Sequence, residues 1–258
     1  MNIKKRIFVA NWKMNMCFYK AQTFIKTHLS ALEIMAQKQN TTIIVCPSFI
    51  SLTDACAQTR LTAIKIGAQN CSQHSQGAYT GEVDAISIAQ AGCTYVIIGH
   101  SERRNHYHEN NEILGQKVAC LLENNLIPII CIGETLNDYI NGLTFEVLQQ
   151  QLEPLFVHAQ QAQELIIAYE PVWSIGTSVT PDTNYLEKVF TWLANKTAKI
   201  APKAAINLLY GGSVDENNAS KIIRIFHING FLIGNASLNF QKFQNIVSSS
   251  DDTVTTIK

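Results

Sequence analysis

Eight short apolar or β-branched runs recur along this chain: Ile7–Ala10, Ile43–Cys46, Ile64–Ala68, Tyr95–Gly99, Ile127–Ile132, Leu165–Tyr169, Ala205–Tyr210 and Phe231–Gly234. They alternate little in polarity. A strand with one wet face carries a polar residue at every second position, whereas a strand covered on both faces does not. Amphipathic segments lie between many of the runs. Ala21, Ile25, Leu29 and Leu32 form one apolar stripe. Leu114, Val118, Leu121 and Leu122 form a second, and Leu186, Val189, Phe190 and Leu193 a third. Their spacings of three and four residues are those of one helix face. Eight strand–helix alternations without a Pro/Ser-rich linker predict a single α/β domain, a closed (β/α)8 barrel over residues 1–247. The competing arrangement is a doubly wound open sheet. That fold often carries a G-x-G-x-x-G turn after its first strand, but here the first run leads into Asn11-Trp12-Lys13-Met14-Asn15. Residues 248–258 lack core-forming side chains and read as a flexible C-terminal tail.

The chain of 258 residues is 47% hydrophobic and has a formal net charge of +0. That is enough apolar material for a sizeable core, with no global pull toward nucleic acid or an anionic membrane. Any anionic ligand must be held by local geometry. The 7 cysteines are odd in number and form no C-x-x-C pair. They read as reduced, mostly buried thiols in a cytoplasmic protein. Lys4-Lys5-Arg6 precede an apolar start, but Asn11, Lys13 and Asn15 interrupt it before a signal-peptide core can form. No apolar run approaches the ~18 residues of a membrane span.

In a barrel the carboxyl ends of the strands converge on one face, where chemistry is built. The sixth run ends at Glu170, and Pro171 stops the strand because it has no N–H to give. A Trp-bearing segment then closes on Gly176, so one carboxylate sits where something could fold over it and exclude water. The first run ends with Asn11 and Lys13, which point to one side if the chain is extended. Taken alone, Lys13 reads as a solvated loop lysine. His100 follows the fourth run, and a helical turn starting at Ser101-Glu102 would favour its neutral form. Glu102, Arg103 and Arg104 read first as structural ion pairs, and Cys131 as a small buried residue. His106 and His108 form an H-x-H pair with no further cluster to complete a metal site, so no metal is expected. Glycine-bearing turns after the last two runs, Gly211-Gly212-Ser213 and Gly234-Asn235, suit phosphate binding through backbone N–H groups. Thr180-Pro181-Asp182 reads as a helix start, with Thr180 as the cap.

Together these segments closely resemble the triosephosphate isomerase family. The resemblance rests on Asn11-Trp12-Lys13-Met14-Asn15, Gly77-Ala78-Tyr79-Thr80-Gly81-Glu82, Ile98-Gly99-His100-Ser101-Glu102-Arg103-Arg104, Cys131-Ile132-Gly133-Glu134, Ala168-Tyr169-Glu170-Pro171-Val172-Trp173, Tyr210-Gly211-Gly212-Ser213 and Gly230-Phe231-Leu232-Ile233-Gly234. It runs in order from residue 7 to about residue 240. It implies a TIM barrel that interconverts dihydroxyacetone phosphate and D-glyceraldehyde 3-phosphate through an enediolate, in glycolysis and gluconeogenesis. It implies Glu170, His100 and Lys13 as catalytic residues. Asn11, Lys13, Gly176, Ser213, Gly234 and Asn235 would bind substrate, with Glu102, Ser101 and Cys131 in support. No cofactor is implied, because the proton returns to the same molecule. A homodimer is implied, with Thr80 on a loop that enters the neighbouring subunit near Asn11 and Lys13.

Three places depart from the family pattern. The lid reads Gly176-Thr177-Ser178-Val179-Thr180-Pro181, with Ser178 where a second glycine is usual and about two residues fewer before Thr-Pro. Asn235 stands where a second loop-eight glycine is usual. The segment between Lys13 and Ile43 is slightly long. Two other functions stay open on the residues alone. One is a Schiff-base aldolase using Lys13 as nucleophile. The other is a non-enzymatic barrel that kept the scaffold.

Overall fold

The computed structural model describes residues 4–153, 155–158, 162–177 and 180–250. Eight parallel strands close into a barrel in sequential order: β1 (Arg6–Asn11), β2 (Thr41–Cys46), β3 (Lys65–Ala68), β4 (Tyr95–Ile98), β5 (Ile127–Ile132), β6 (Glu164–Tyr169), β7 (Ala205–Tyr210) and β8 (Gly230–Ile233). Each strand pairs with its successor, and β1 closes the ring on β8 with Phe8 opposite Phe231 and Val9 opposite Leu232. The connections carry helices α1 (Phe18–Ala36), α2 (Leu52–Thr59), α3 (Ala85–Gln90), α4 (Ser101–His106), α5 (Asn111–Glu123), α6 (Leu136–Ile140), α7 (Thr144–Leu152), α8 (Leu155–His158), α9 (Thr183–Ile200), α10 (Ala219–Ile222) and α11 (Phe240–Ser248). The open doubly wound sheet is thereby excluded.

The strands are buried on both faces because successive side chains go to two different apolar layers. Ile7 and Val9 point inward, where they join Ile44, Ile97, Ile129, Ile166, Leu209 and Leu232 in the barrel interior. Phe8 and Ala10 point outward and join the helix faces. The three stripes expected from the sequence cover that outer layer. Leu186, Val189, Phe190 and Leu193 of α9 are all fully buried, and so are Leu114, Val118 and Leu121 of α5. Leu29 and Leu122 only flank the cluster.

Two expected boundaries move. The last helix runs through Ser248 and Ser250 is buried, its hydroxyl donating to the Val247 carbonyl. So Ser248–Ser250 pack on the barrel rather than starting a tail, and residues 251–258 lie outside the described residues. The α9 cap is Asp182, whose carboxylate accepts from the Asn184 N–H at 2.8 Å, in place of Thr180. An ionised cap also meets the positive helix end, which a hydroxyl does not.

Candidate active site

The alternation that fills the barrel also aims the site. Asn11 continues the inward phase of Ile7 and Val9, and Glu170 continues that of Ile166 and Ala168, so both emerge at the carboxyl mouth. His100 would fall out of phase after Tyr95 and Ile97. Gly99 corrects this with φ +66, a left-handed turn that a side chain resists. A Cβ there would also meet Leu114 at 2.8 Å.

Asn11, Lys13, His100, Glu170, Gly176, Ser213, Gly234 and Asn235 line one cavity of about 360 Å³. A wider groove along α1, about 590 Å³, carries Lys20 and His28 but no carboxylate.

Glu170 is 2% exposed. One carboxylate oxygen lies 3.1 Å from His100 Nε2, and the other accepts the Ser101 N–H at 3.0 Å. Its backbone N–H donates to the Ile132 carbonyl at 2.7 Å. Two glycines admit it. A Gly133 Cβ would overlap the Glu170 carbonyl oxygen at 1.6 Å, and a Gly211 Cβ would meet Glu170 Cγ at 2.9 Å. The Glu102 N–H donates to His100 Nδ1 at 3.2 Å. Nδ1 is therefore an acceptor, and the ring's proton belongs on Nε2, facing the cavity.

Lys13 is not extended, contrary to the expectation from spacing. Its φ is +50, and its N–H donates to Asn11 Oδ1 at 3.1 Å. The Asn11 side chain thus turns the chain and redirects the lysine. Lys13 Nζ reaches Glu102 at 2.5 Å. Burial pushes the Glu102 carboxyl up, but the hydrogen bond from Lys13 and its charge outweigh it, leaving it below its usual range. Arg103 and Arg104 act structurally, as expected. Arg103 pairs with Glu109 at 2.5 Å, and Arg104 donates to the Gly99 and Cys131 carbonyls at 2.8 and 3.2 Å. Cys131 is fully buried, and burial together with the Glu170 charge pushes its thiol well up, which suits an inert wall rather than a nucleophile. His106 and His108 gather no third ligand: among the described residues no group of three His, Cys, Asp or Glu could hold a metal ion.

The glycine-bearing end of the cavity is built from backbone. Gly176 has φ +69 and is exposed at the lid tip. The Ser213 hydroxyl bonds the Ser174 and Thr177 carbonyls at 2.5 and 2.8 Å, tying loop seven to the lid. A short 3-10 turn starts at Asn235, directly after Gly234. Asn235 is not left-handed, so its substitution for glycine carries no backbone strain there. Ser178 and Val179, where the lid departs from the family, lie outside the described residues. Thr80 does not line the cavity and lies on an exposed stretch from Ser75 to Glu82.

Sequence reasoning missed two supports. Gln69 donates to the Lys13 and Cys46 carbonyls at 2.9 Å each, fixing the loop that carries Lys13. Glu134 is fully buried and accepts from Trp173 Nε1 at 2.8 Å and from the Tyr169 and Tyr185 hydroxyls at 3.0 Å each. It anchors the lid's leading hinge. Burial pushes its carboxyl up against those hydrogen bonds, and pushes the Tyr185 phenol to about 12, so the phenol stays a donor. Both residues stand just past a strand's carboxyl end, the one signal that could have found them.

The triosephosphate isomerase family profile matches residues 6–250. The triosephosphate isomerase of Aquifex aeolicus (strain VF5) is 37% identical over 248 residues, 95% of this chain and 99% of its own. That of Porphyromonas gingivalis (strain ATCC BAA-308 / W83) is 38% identical over 252 residues, 96% and 100%. The crystal structure of triosephosphate isomerase from Bartonella henselae superposes with a TM-score of 0.85 at 31% identity, covering 96% of this chain and 99% of that one. With the closed barrel, these relationships define an intramolecular aldose–ketose isomerase. The chain belongs to the triosephosphate isomerase family, and its reaction interconverts dihydroxyacetone phosphate and D-glyceraldehyde 3-phosphate.

Proposed function

We propose that Glu170 is the base that carries a proton between the two carbons of the triose phosphate. The supporting observation is that a carboxylate only 2% exposed shares one cavity with a ring N–H at 3.1 Å and a lysine ammonium, each from a different strand end. On binding, the substrate takes the place between Glu170 and His100. Glu170 removes the proton from the carbon next to the carbonyl, and negative charge grows on oxygen as the enediolate forms. Lys13 supplies a positive charge beside that oxygen, and His100 Nε2–H donates to it and relays protons between the two oxygens. Glu170 then returns its proton to the neighbouring carbon, so nothing is gained or lost overall. The backbone N–H groups of Gly176, Ser213, Gly234 and Asn235 take the phosphate, which suits a chain of zero net charge. Asn11 and Glu102 hold Lys13, the Ser101 N–H steadies the resting carboxylate, and Cys131 packs beneath it. Lid closure removes water that would otherwise favour loss of phosphate from the enediolate.

The ion pair with Glu102 holds Lys13 as a fixed charge, which argues against a Schiff-base aldolase. Two copies of the chain associating through the exposed Ser75–Glu82 stretch, with Thr80 near the partner's Asn11 and Lys13, fit the family resemblance and the 96% exposure of Met14 beside that site. A cytoplasmic location fits the free thiols and the lack, among the described residues, of a helix long and apolar enough to cross a membrane. The decisive test is Glu170→Gln in a coupled assay with both triose phosphates. The amide keeps shape and removes the base, so kcat falls about a thousandfold or more while the fold is kept. Turnover near that of the parent protein would remove Glu170 from the role.

A further inference from the structure

Two thiols outside the active site face each other across the first helix layer. Cys56 lies in the middle of α2 and Cys93 just before β4, and their sulfurs are 3.7 Å apart. The approach is backbone-deep. Gly92 takes φ +100, and a Cβ on it would touch Cys56 Cβ at 3.4 Å. A disulfide needs a sulfur separation of about 2.05 Å, so the two atoms must close by about 1.7 Å.

Exposure separates this pair from the deeply buried thiols. Cys46, Cys71 and Cys131 are 0% exposed, whereas Cys56 and Cys93 keep 9% and 7% of their surface. Burial pushes the Cys46, Cys71 and Cys131 thiols up and leaves them inert. Cys56 behaves in the opposite way. The hydrogen bond between the two sulfurs holds the Cys56 thiol below its ordinary range.

We propose that Cys56 and Cys93 are a redox-responsive pair that closes into an intramolecular disulfide when the protein meets a small hydroperoxide. The Cys56 thiolate attacks the peroxide oxygen, forming a sulfenic acid as the O–O bond breaks and one water leaves. The Cys93 sulfur then attacks the sulfenic sulfur and displaces a second water. Two thiols lose two electrons and two protons, and hydrogen peroxide is reduced to two waters. A dithiol reverses the step by exchange. The bond closes a ring 37 residues apart in sequence. That ring holds β3, Gln69 and the exposed Ser75–Glu82 stretch, so it staples the segment that braces Lys13.

The test uses the whole protein treated with hydrogen peroxide, alkylated without reductant and digested. A peptide joining Cys56 to Cys93 is expected. So is a rise of about 5–10 °C in the thermal midpoint, the size a ring of this length gives in a domain of this size. Dithiothreitol should reverse both, and Cys93→Ser should show neither. Over-oxidation of Cys56 with no linked peptide would overturn the pairing. A linked peptide with an unchanged midpoint would overturn the staple. Because the wild-type protein carries the first readout, the result stands even if the variant folds poorly.

Discussion

Adding one methyl group at Gly211 tests how finely Glu170 is placed. Gly211 is not in the left-handed region, so Gly211→Ala brings no backbone strain and acts through contact alone. The new Cβ would sit 2.9 Å from Glu170 Cγ, against roughly 3.4 Å for an ordinary close carbon contact. The backbone behind Gly211 is pinned, because its N–H donates to the Tyr169 carbonyl at 2.8 Å. The glutamate side chain therefore yields by about half an ångström, away from β7. Its carboxylate is held at 3.0 Å by the Ser101 N–H and lies 3.1 Å from His100, and that shift loosens both contacts. A displacement of about 1 Å at a reacting group costs on the order of a hundredfold. Half that displacement predicts a kcat lower by about tenfold, or ~1.4 kcal/mol in the barrier. Overpacking adds about 1–3 kcal/mol of lost stability. Steady-state kinetics with D-glyceraldehyde 3-phosphate, alongside a urea unfolding curve, separates the two effects. A kcat within twofold of the parent in a protein that shows the stability loss would refute the claim that the base is positioned to a fraction of an ångström.

The Glu102 carboxyl has a lower pKa folded than unfolded, so its contribution is present above the unfolded value near 4.5 and is lost as pH falls through the lower folded value. Glu102→Gln should flatten the acid limb of the stability curve below about pH 4.5, as followed by circular dichroism across pH. An unchanged limb would show that the Lys13 pair adds nothing to folding. Ser213→Ala removes the hydroxyl that bonds two lid carbonyls, a loss of about 1 kcal/mol for the docked lid. Glycerol 3-phosphate, a triose phosphate without the carbonyl, should bind about fivefold more weakly by calorimetry. Equal affinity would mean the clasp plays no part in ligand retention.

The barrel was legible because its strands are buried twice over. Ile43–Cys46 and Leu165–Tyr169 read as continuous apolar runs for that reason, and the observed β2 and β6 differ from them only at their first residues. Glu170 and Asn11 were legible because they continue a phase set inside the strand. The features that escaped depend on dihedrals or on distant neighbours. Lys13 turns left-handed because the Asn11 side chain captures its N–H. His100 is brought into phase by Gly99. Gln69 and Glu134 matter only through atoms that the closed ring brings to them. The α9 cap went to Asp182 because the carboxylate directly after Pro181 outcompeted the hydroxyl at Thr180, a contest local sequence leaves undecided.

The pairing of β1 with β8 has a consequence for synthesis. Phe8 cannot meet Phe231 until about nine-tenths of the chain has left the ribosome. Until then β1 and the newest strand both present unpaired edges, the surfaces through which nascent chains capture one another. Lys4 and Lys5 precede β1 and Arg6 opens it, which places like charges at that waiting edge. Such charges repel a second copy during translation, and one of them is neutralised when Lys5 meets Glu164 at 2.5 Å in the finished ring.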